Sequence, residues 1–149
     1  MSVASTESTM RGYMDALLGG GDFSASFSDD VLWTTMETGD EIRGRDAVRD
    51  FILEMHTHAF DAAPEVKSVT VGDGMAALEA VFVATHTGEF AGLAPTGAAV
   101  RLPYVVVYDV AADQITALRA YLSIAGLVAQ IQAASGSTAR AATGADATL

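Results

Sequence analysis

The order of elements along the chain predicts an α+β fold in which helices cover one face of a curved sheet. A helical pattern over residues 5–18 comes first, and a second helical pattern over 45–60 follows a single strand. Four strands then succeed one another, as in a meander, before a short last helix. A curved mixed or antiparallel sheet of this kind folds over its helices into a cone, and the open end of a cone is a natural apolar pocket. We therefore expect one cone-shaped domain over residues 1–133.

The individual elements follow from periodicity and from turn residues. In the first helix, Thr6 or Ser8 can cap the start, and the run of glycines at 19–21 ends the helix. A short helix is predicted over 23–27, a strand over 31–37 and a polar turn over 38–44. The second helix is followed by strands over 66–71, 77–90 and 115–122 and by a helix over 124–133; the strand through Tyr104 comes after a Gly/Pro-rich reversal at 91–98. Residues 134–149 are rich in Ala, Ser, Thr and Gly, which predicts a disordered tail.

Composition excludes several classes of partner. The chain has 149 residues, half of them hydrophobic, and carries 19 acidic against 8 scattered basic residues, for a net charge of −11. No basic patch is present to follow phosphates, so we expect no nucleic acid and no membrane as partners. There is no cysteine, no run long enough to span a bilayer, and no signal peptide pattern at the start. A cytoplasmic protein without a cofactor is expected.

The strand over 77–90 is apolar on both faces, which predicts that both sides are covered. The chain's own helices can cover one face, and we expect a second copy to cover the other, so a homodimer is predicted. Alternation places Thr87 and Glu89 on the face of Val81 and Val83, which we take as the pocket side. It places His86 on the opposite face, at a subunit interface or on the outer sheet.

Several short motifs carry a resemblance to a known family. The motifs are YMDAL at 13–17, DDVLW at 29–33, RGRDAV at 43–48, HTGEFAG at 86–92, PTG at 95–97 and the strand at 115–121. In this order and spacing they resemble the nuclear transport factor 2-like superfamily, and within it the SnoaL-like polyketide cyclases and limonene epoxide hydrolases. The resemblance covers roughly residues 6–132 and implies the cone fold. It is weaker for function, because this fold hosts isomerases, hydrolases, cyclases and proteins that are not enzymes.

The catalytic positions implied by the resemblance hold other residues here. Cyclase-like members place an Asp after an Arg on the last strand and a His on the strand before it, where this chain has Ala120 and Val106. Epoxide-hydrolase-like members use that same Asp, together with groups at the positions of Trp33 and Thr35, and of Thr87 and Glu89. The helix-1 Tyr of ketosteroid-isomerase-like members is matched by Tyr13, but their first-strand Asp falls on Thr35. Among these compared positions, Glu89 is the one that carries a carboxylate in this chain.

These considerations define the candidate site. Glu89 is the candidate general acid or base, with Tyr104 and His56 as the other candidate catalytic groups. The expected substrate-binding residues are Tyr13, Trp33, Thr35, Phe51, Met55, Thr87, Val106, Tyr108 and Ala120. No metal is expected, because histidines two apart in the HTH triplet at 56–58 do not share a helix face.

Three functions remain open from the sequence. The first is an enzyme, an isomerase, cyclase or hydrolase, that acts by acid/base chemistry on a hydrophobic polyketide-, terpenoid- or steroid-like small molecule. The second is a non-catalytic module that binds a hydrophobic ligand. The third is a structural dimer whose cone is filled by side chains, which a cavity well under about 300 Å³ would favour.

Overall fold

The computed structural model describes residues 2–143, with the side chains of 2–134. Over this range the chain forms three α-helices, α1 (Val3–Gly19), α2 (Arg45–Leu53) and α3 (Ile124–Thr143), and a 3₁₀ turn at Phe23–Ser26. A π-helical turn, Glu54–His58, continues α2. The strands of the same range are β1 (Phe27–Thr35), β2 (Asp40–Arg43), β3 (Phe60–Ala62), β4 (Glu65–Val71), β5 (Met75–His86), β6 (Ala99–Ala111) and β7 (Gln114–Tyr121).

The strands form one strongly curled mixed sheet that wraps the helices. Its order is β2-β1-β7-β6-β5-β3, and β4 pairs with another part of the β5 edge. The β1–β7 pair is parallel, and the other pairs are antiparallel. The predicted α+β cone is therefore confirmed.

Helix α1 begins earlier than predicted. Ser2 is its N-cap and forms a capping box with Ser5, so the prediction of Thr6 or Ser8 as the cap is wrong. Thr6 is instead fully buried, and its hydroxyl accepts a hydrogen bond at 3.0 Å from the backbone N–H of Gly74. This contact fixes α1 against the β4–β5 turn. The helix ends, as expected, at a glycine, because Gly20 adopts a left-handed backbone with φ of 77°.

Two strands occur where other structure was predicted. The predicted turn over 38–44 contains β2, which pairs with β1. The predicted helix over 45–60 changes to a π-helical turn after Leu53 and ends before Phe60, which pairs with His86 as part of β3. Pairing at the edge of β5 thus overrides the helical periodicity of the sequence at this point.

The inner face of β5 is the opposite one from that predicted. Leu78, Ala80 and Phe82 stand opposite Val106, Tyr104 and Leu102 of β6, and this face packs on the helices. By the same alternation His86 lies on this inner face, and it is fully buried. Its predicted place at an interface or on the outer sheet is therefore wrong. Because both faces of β5 are apolar, the sequence alone did not distinguish them.

Strand β5 also ends four residues earlier than predicted. Thr87 and Gly88 leave the sheet, and their N–H groups donate to the carbonyl oxygen of Ala59, at 3.0 and 3.1 Å. Thr87 and Glu89 therefore lie in the loop over residues 87–98, not on the strand.

Two clusters make up the core. One surrounds α1, where the Tyr13 ring contacts Phe23, Phe27 and Tyr108 at centroid distances of 6.1, 5.6 and 5.7 Å. The other lies under α3, where Leu127 and Ile131 pack against a set of residues that includes Phe60, Phe82 and Val100. The space between the sheet and α2 lies between these clusters.

The last helix is longer than predicted. Residues 134–143, predicted as the start of a disordered tail, continue α3, so that prediction is wrong for them. The rest of the predicted tail, 144–149, lies outside the described residues. Across the described part of the chain, no helix combines the length and the apolar character needed to cross a membrane.

Candidate functional site

An apolar cavity of about 50 Å³ lies between the inner face of the sheet and helix α2 with its π-helical turn. Strands β1, β5, β6 and β7 form one side, and the start of α3 closes an end. The residues that line the cavity are Trp33, Thr35, Phe51, Ile52, Met55, His56, Phe82, Tyr104, Val106, Ala120, Leu122 and Ile124.

The structure brings most of the sequence-predicted residues to this cavity. Trp33, Thr35, Phe51, Met55, His56, Tyr104, Val106 and Ala120 all line it. Glu89 does not, because it is exposed in the loop that follows β5. Thr87 is also exposed, and its hydroxyl donates to the carbonyl of His58 at 3.1 Å. Tyr13 and Tyr108 are buried in the α1 core cluster.

Four lining residues were not predicted. Ile52 lies on the buried stripe of α2, and the stripe alone could have identified it. Phe82 was placed on the wrong side of β5. Leu122 lies in the two-residue connection between β7 and α3, where no periodic pattern marked it, and Ile124 is the first residue of α3.

Three positions at which the family resemblance implied catalytic groups are neighbours on one wall. Ala120 of β7 pairs with Val106 of β6 on one side and with Thr35 of β1 on the other. None of the three side chains ionises near neutral pH. A side chain that transfers protons at this cavity would therefore have to lie on another wall.

His56 is the titratable imidazole of the cavity, and its hydrogen bond defines its tautomer. Its Nδ1 atom lies 2.8 Å from the carbonyl oxygen of Ile52. A carbonyl can only accept, so the neutral ring carries its hydrogen on Nδ1 and keeps a lone pair on Nε2. Nε2 has no hydrogen-bond partner among the described residues, and it is not sealed off as the Nε2 of His86 is. Burial lowers the pKa of His56, so the ring is neutral at physiological pH.

The backbone that presents His56 is held by the loop after β5. His56 lies in the π-helical turn, where the N–H of Ala59 donates to the carbonyl of Glu54, five residues back. Single π-helical turns within α-helices are frequent at functional sites. Thr87 and Gly88 donate to the carbonyls of His58 and Ala59 at the end of this turn. The turn therefore depends on a contact between residues about thirty positions apart, which local sequence cannot reveal.

Polar groups on the sheet side can donate hydrogen bonds. Burial raises the pKa of Tyr104 to about 12, so its hydroxyl stays protonated, and it has no hydrogen-bond partner within residues 2–134. The indole N–H of Trp33 donates to the hydroxyl of Thr35 at 2.9 Å, which leaves the hydroxyl hydrogen of Thr35 available. The Trp33 ring packs on Phe51, with centroids 5.0 Å apart.

His86 has a different environment. Its Nδ1 lies 2.9 Å from the hydroxyl of Thr96, and its ring packs 5.6 Å from Phe60. It does not line the cavity. Among the described residues, no group of three or more His, Asp or Glu side chains is placed to hold a metal ion.

The curled mixed sheet that wraps three helices has the nuclear transport factor 2-like cone fold. A protein from Xanthomonas campestris pv. campestris assigned as a polyketide cyclase has 20% identity and a TM-score of 0.72, with 87% of this chain and 98% of that chain covered. A protein from Jannaschia sp. CCS1 assigned as a SnoaL-like polyketide cyclase has 18% identity and a TM-score of 0.76, with 86% and 92% covered. An LEH-like epoxide hydrolase from M. tuberculosis has 14% identity and a TM-score of 0.66, with 87% and 91% covered.

The family model gives the particular assignment. The model of the SnoaL-like polyketide cyclases matches residues 10–131. The chain belongs to this family. A search of curated proteins finds no match. At these levels of identity the solved structures establish the fold, and function has to be argued from the site.

Proposed function

We propose that the protein is an enzyme of the cyclase, isomerase or epoxide-opening hydrolase type that acts by acid/base chemistry on a hydrophobic small molecule. The observation that supports this is His56, a neutral imidazole with a lone pair on Nε2 at the wall of an apolar cavity. A histidine of lowered pKa is a competent general base at neutral pH. Tyr104 supplies a hydrogen bond to the oxygen on which negative charge develops.

The base in this proposal differs from the one that the family resemblance suggested. Ala120 and Val106 cannot transfer protons, and Glu89 is exposed away from the cavity. His56 reaches the cavity from the helical side, opposite the wall where relatives place their acid. In this proposal the proton acceptor is therefore His56, not a carboxylate at the position of Ala120.

A melting experiment with a ligand panel tests whether the site binds small molecules. The panel holds a ketosteroid, a terpene epoxide, an anthraquinone-type polyketide and a polyphenol. A ligand at a hundred times its dissociation constant stabilises the folded state by about 2.7 kcal/mol, which a melt resolves. A shift with one class identifies the reaction to assay. If none of the four shifts the melting temperature, the proposal of a small-molecule enzyme is contradicted.

The pH dependence of turnover should report His56. A general base works only when it is deprotonated, so kcat/KM is expected to rise with pH and to level off above the pKa of His56. Because burial lowers that pKa, the midpoint should lie below the value of about 6.5 usual for histidine. The measurement is kcat/KM from pH 4 to pH 9, about two units beyond the midpoint on either side. A midpoint above 6.5 would contradict the assignment of His56.

A second candidate function is favoured by the size of the cavity. About 50 Å³ is far below the roughly 300 Å³ of a site for a drug-sized molecule. The loss of the family acid at Ala120 is also what a cone filled by side chains would show. In that case the protein is a structural or accessory module, and it would give no shift with any ligand and no turnover.

We also propose that the outer face of the sheet pairs with a second copy of the chain. Part of this face is already covered, because Glu65 and Arg101 form an ion pair at 2.9 Å across β5, next to the buried Val81. Val105 and Val107 are only half-buried on the same face, and Tyr121 is 50% exposed. The charged groups on this face include internally neutral pairs such as Arg119–Asp109, so those pairs add no net charge where two copies meet.

Sedimentation analysis tests the dimer directly. The wild type is expected to sediment as a dimer, and Val107→Lys as a monomer, because the new charge would be desolvated in the interface. Ser8→Lys, on the exposed side of α1, is the matched control and should stay dimeric. A monomeric wild type would contradict the proposal.

A further inference from the structure

A second, larger void adjoins the cavity. It is a groove of about 510 Å³ between the end of α1, the α2 segment and the β3–β4 connection, which we call the α1 groove. Its walls include Leu17, Leu18, Phe23, Leu53, Ala63 and Pro64. Ile52 and His56 line both the α1 groove and the cavity, so these two side chains are the partition between them.

The two voids differ in what they can hold. The cavity of about 50 Å³ has room for a few water molecules or a small substituent. The α1 groove has the volume of an ordinary small-molecule site. It also exposes large apolar side chains, since Leu18 is 52% exposed and Leu53 is 37% exposed. A hydrophobic molecule would cover this surface.

The end of α1 borders the groove, where Gly20 and Gly21 can contribute only backbone atoms to its wall. The N–H groups of Gly20 and Gly21 both donate to the carbonyl of Ala16. The carbonyls of Leu17 and Leu18 therefore have no backbone donor among the described residues. No basic side chain occupies the last turn of α1 to offset the negative end of the helix dipole. Free carbonyls at such an end accept hydrogen bonds and disfavour a carboxylate.

We propose that the α1 groove binds the body of the substrate, a neutral hydrophobic molecule whose hydroxyl group donates to the free carbonyls at the end of α1, while His56 contacts the same molecule from the partition. This inference rests on the proposed function for the role of His56. The binding itself requires no turnover. It also resolves the mismatch of size, because the small cavity then needs to accept only one substituent of the substrate.

Three probes that share one ring system test the chemistry of the groove. The probes are 2-naphthol, 2-naphthoate and naphthalene, and the measurement is calorimetric titration at neutral pH. We expect 2-naphthol to bind, with 2-naphthoate and naphthalene weaker by about tenfold or more, a difference of about 1.4 kcal/mol. Equal affinity for 2-naphthoate would overturn the assignment of the carbonyls. Absence of binding by all three at about 1 mM would overturn the site.

Variants locate the binding. Ala63 is exposed at the groove wall, so Ala63→Trp should fill the groove and weaken 2-naphthol at least tenfold without loss of fold. Leu18→Glu should weaken it as well, by adding negative charge at the end of α1. Ala47→Trp, on the exposed side of α2, is the control and should bind as the wild type does.

The outcomes separate this inference from the proposed function. If Ala63→Trp and Leu18→Glu both bind 2-naphthol with the affinity of the wild type, the groove is not the binding site, whatever the role of His56. Weakened binding in these variants, together with full turnover in a His56 variant, would support the groove and overturn the proposed function instead.

Discussion

Gly88→Ala is expected to lower the free energy of unfolding by about 3 kcal/mol, the upper end for overpacking of a well-packed site. A Cβ atom at Gly88 would overlap the carbonyl oxygen of His58 and lie 2.9 Å from its carbonyl carbon. Both are backbone atoms, so no flexible side chain can move to relieve the contact. The loop after β5 or the end of the π-helical turn must shift, and the hydrogen bonds of Gly88 and Thr87 to Ala59 weaken with it.

Denaturant unfolding measures this effect, and the chain offers a matched control. Gly12 lies within α1, and nothing stands within 4 Å of where its Cβ would be. Gly12→Ala should therefore stabilise the protein by about 0.5–1 kcal/mol, through the higher helix propensity of alanine. A Gly88→Ala protein as stable as the wild type would show that the loop does not clamp the π-helical turn as tightly as the distances indicate.

The same substitution should also alter His56. If the clamp sets the π-helical turn, its loss changes the position of His56 relative to the Ile52 carbonyl. The nitrogen-15 spectrum of the imidazole reports the tautomer directly. The wild type should show hydrogen on Nδ1, and Gly88→Ala should show a mixture of the two tautomers. An unchanged spectrum would show that the loop stabilises the fold without setting the position of His56.

Much of the site could be predicted because one strand has an unambiguous pattern. In β6, Tyr104, Val106 and Tyr108 alternate with Val105 and Val107, and large aromatic side chains on one face identify the inner side. The helix stripe containing Phe51 and Met55 was equally clear, because 3.6-residue periodicity specifies which side of a helix is buried. These two patterns predicted Tyr104, Phe51 and Met55, which line the cavity. The family resemblance, by contrast, supplied the predictions for Trp33, Thr35, Val106 and Ala120.

The errors arise where a contact distant in sequence decides local structure. Strand β5 is apolar on both faces, so alternation could not assign Phe82 and His86 to the inner side. The strand ends at His86 because Thr87 and Gly88 bond to Ala59 instead of continuing the sheet. That bond removes Glu89 from any strand face and, at the same time, terminates the turn that carries His56. One tertiary contact therefore takes Glu89 away from the cavity and ends the turn that carries His56.

His56→Gln is expected to reduce turnover by about 10²–10⁴-fold, the usual contribution of a general base. The amide of glutamine is neutral and close to imidazole in length, but it has no basic nitrogen, so shape is largely kept and proton transfer is lost. The assay uses the substrate class that the ligand panel identifies. Binding of that ligand should change much less than turnover, because the cavity walls on either side are apolar.

Two other variants determine whether the loss belongs to His56 itself. His58→Gln removes an exposed imidazole that bonds Glu54 at 2.9 Å, and it should leave turnover unchanged. Glu89→Gln tests the carboxylate that the family resemblance favoured; from its exposed place in the loop it should also leave turnover unchanged. Loss of activity in Glu89→Gln with full activity in His56→Gln would reverse the assignment, since it would require the loop to carry Glu89 to the substrate during the reaction. Loss in His56→Gln alone would place the base of this SnoaL-like protein on its helical wall, where the π-helical turn holds it.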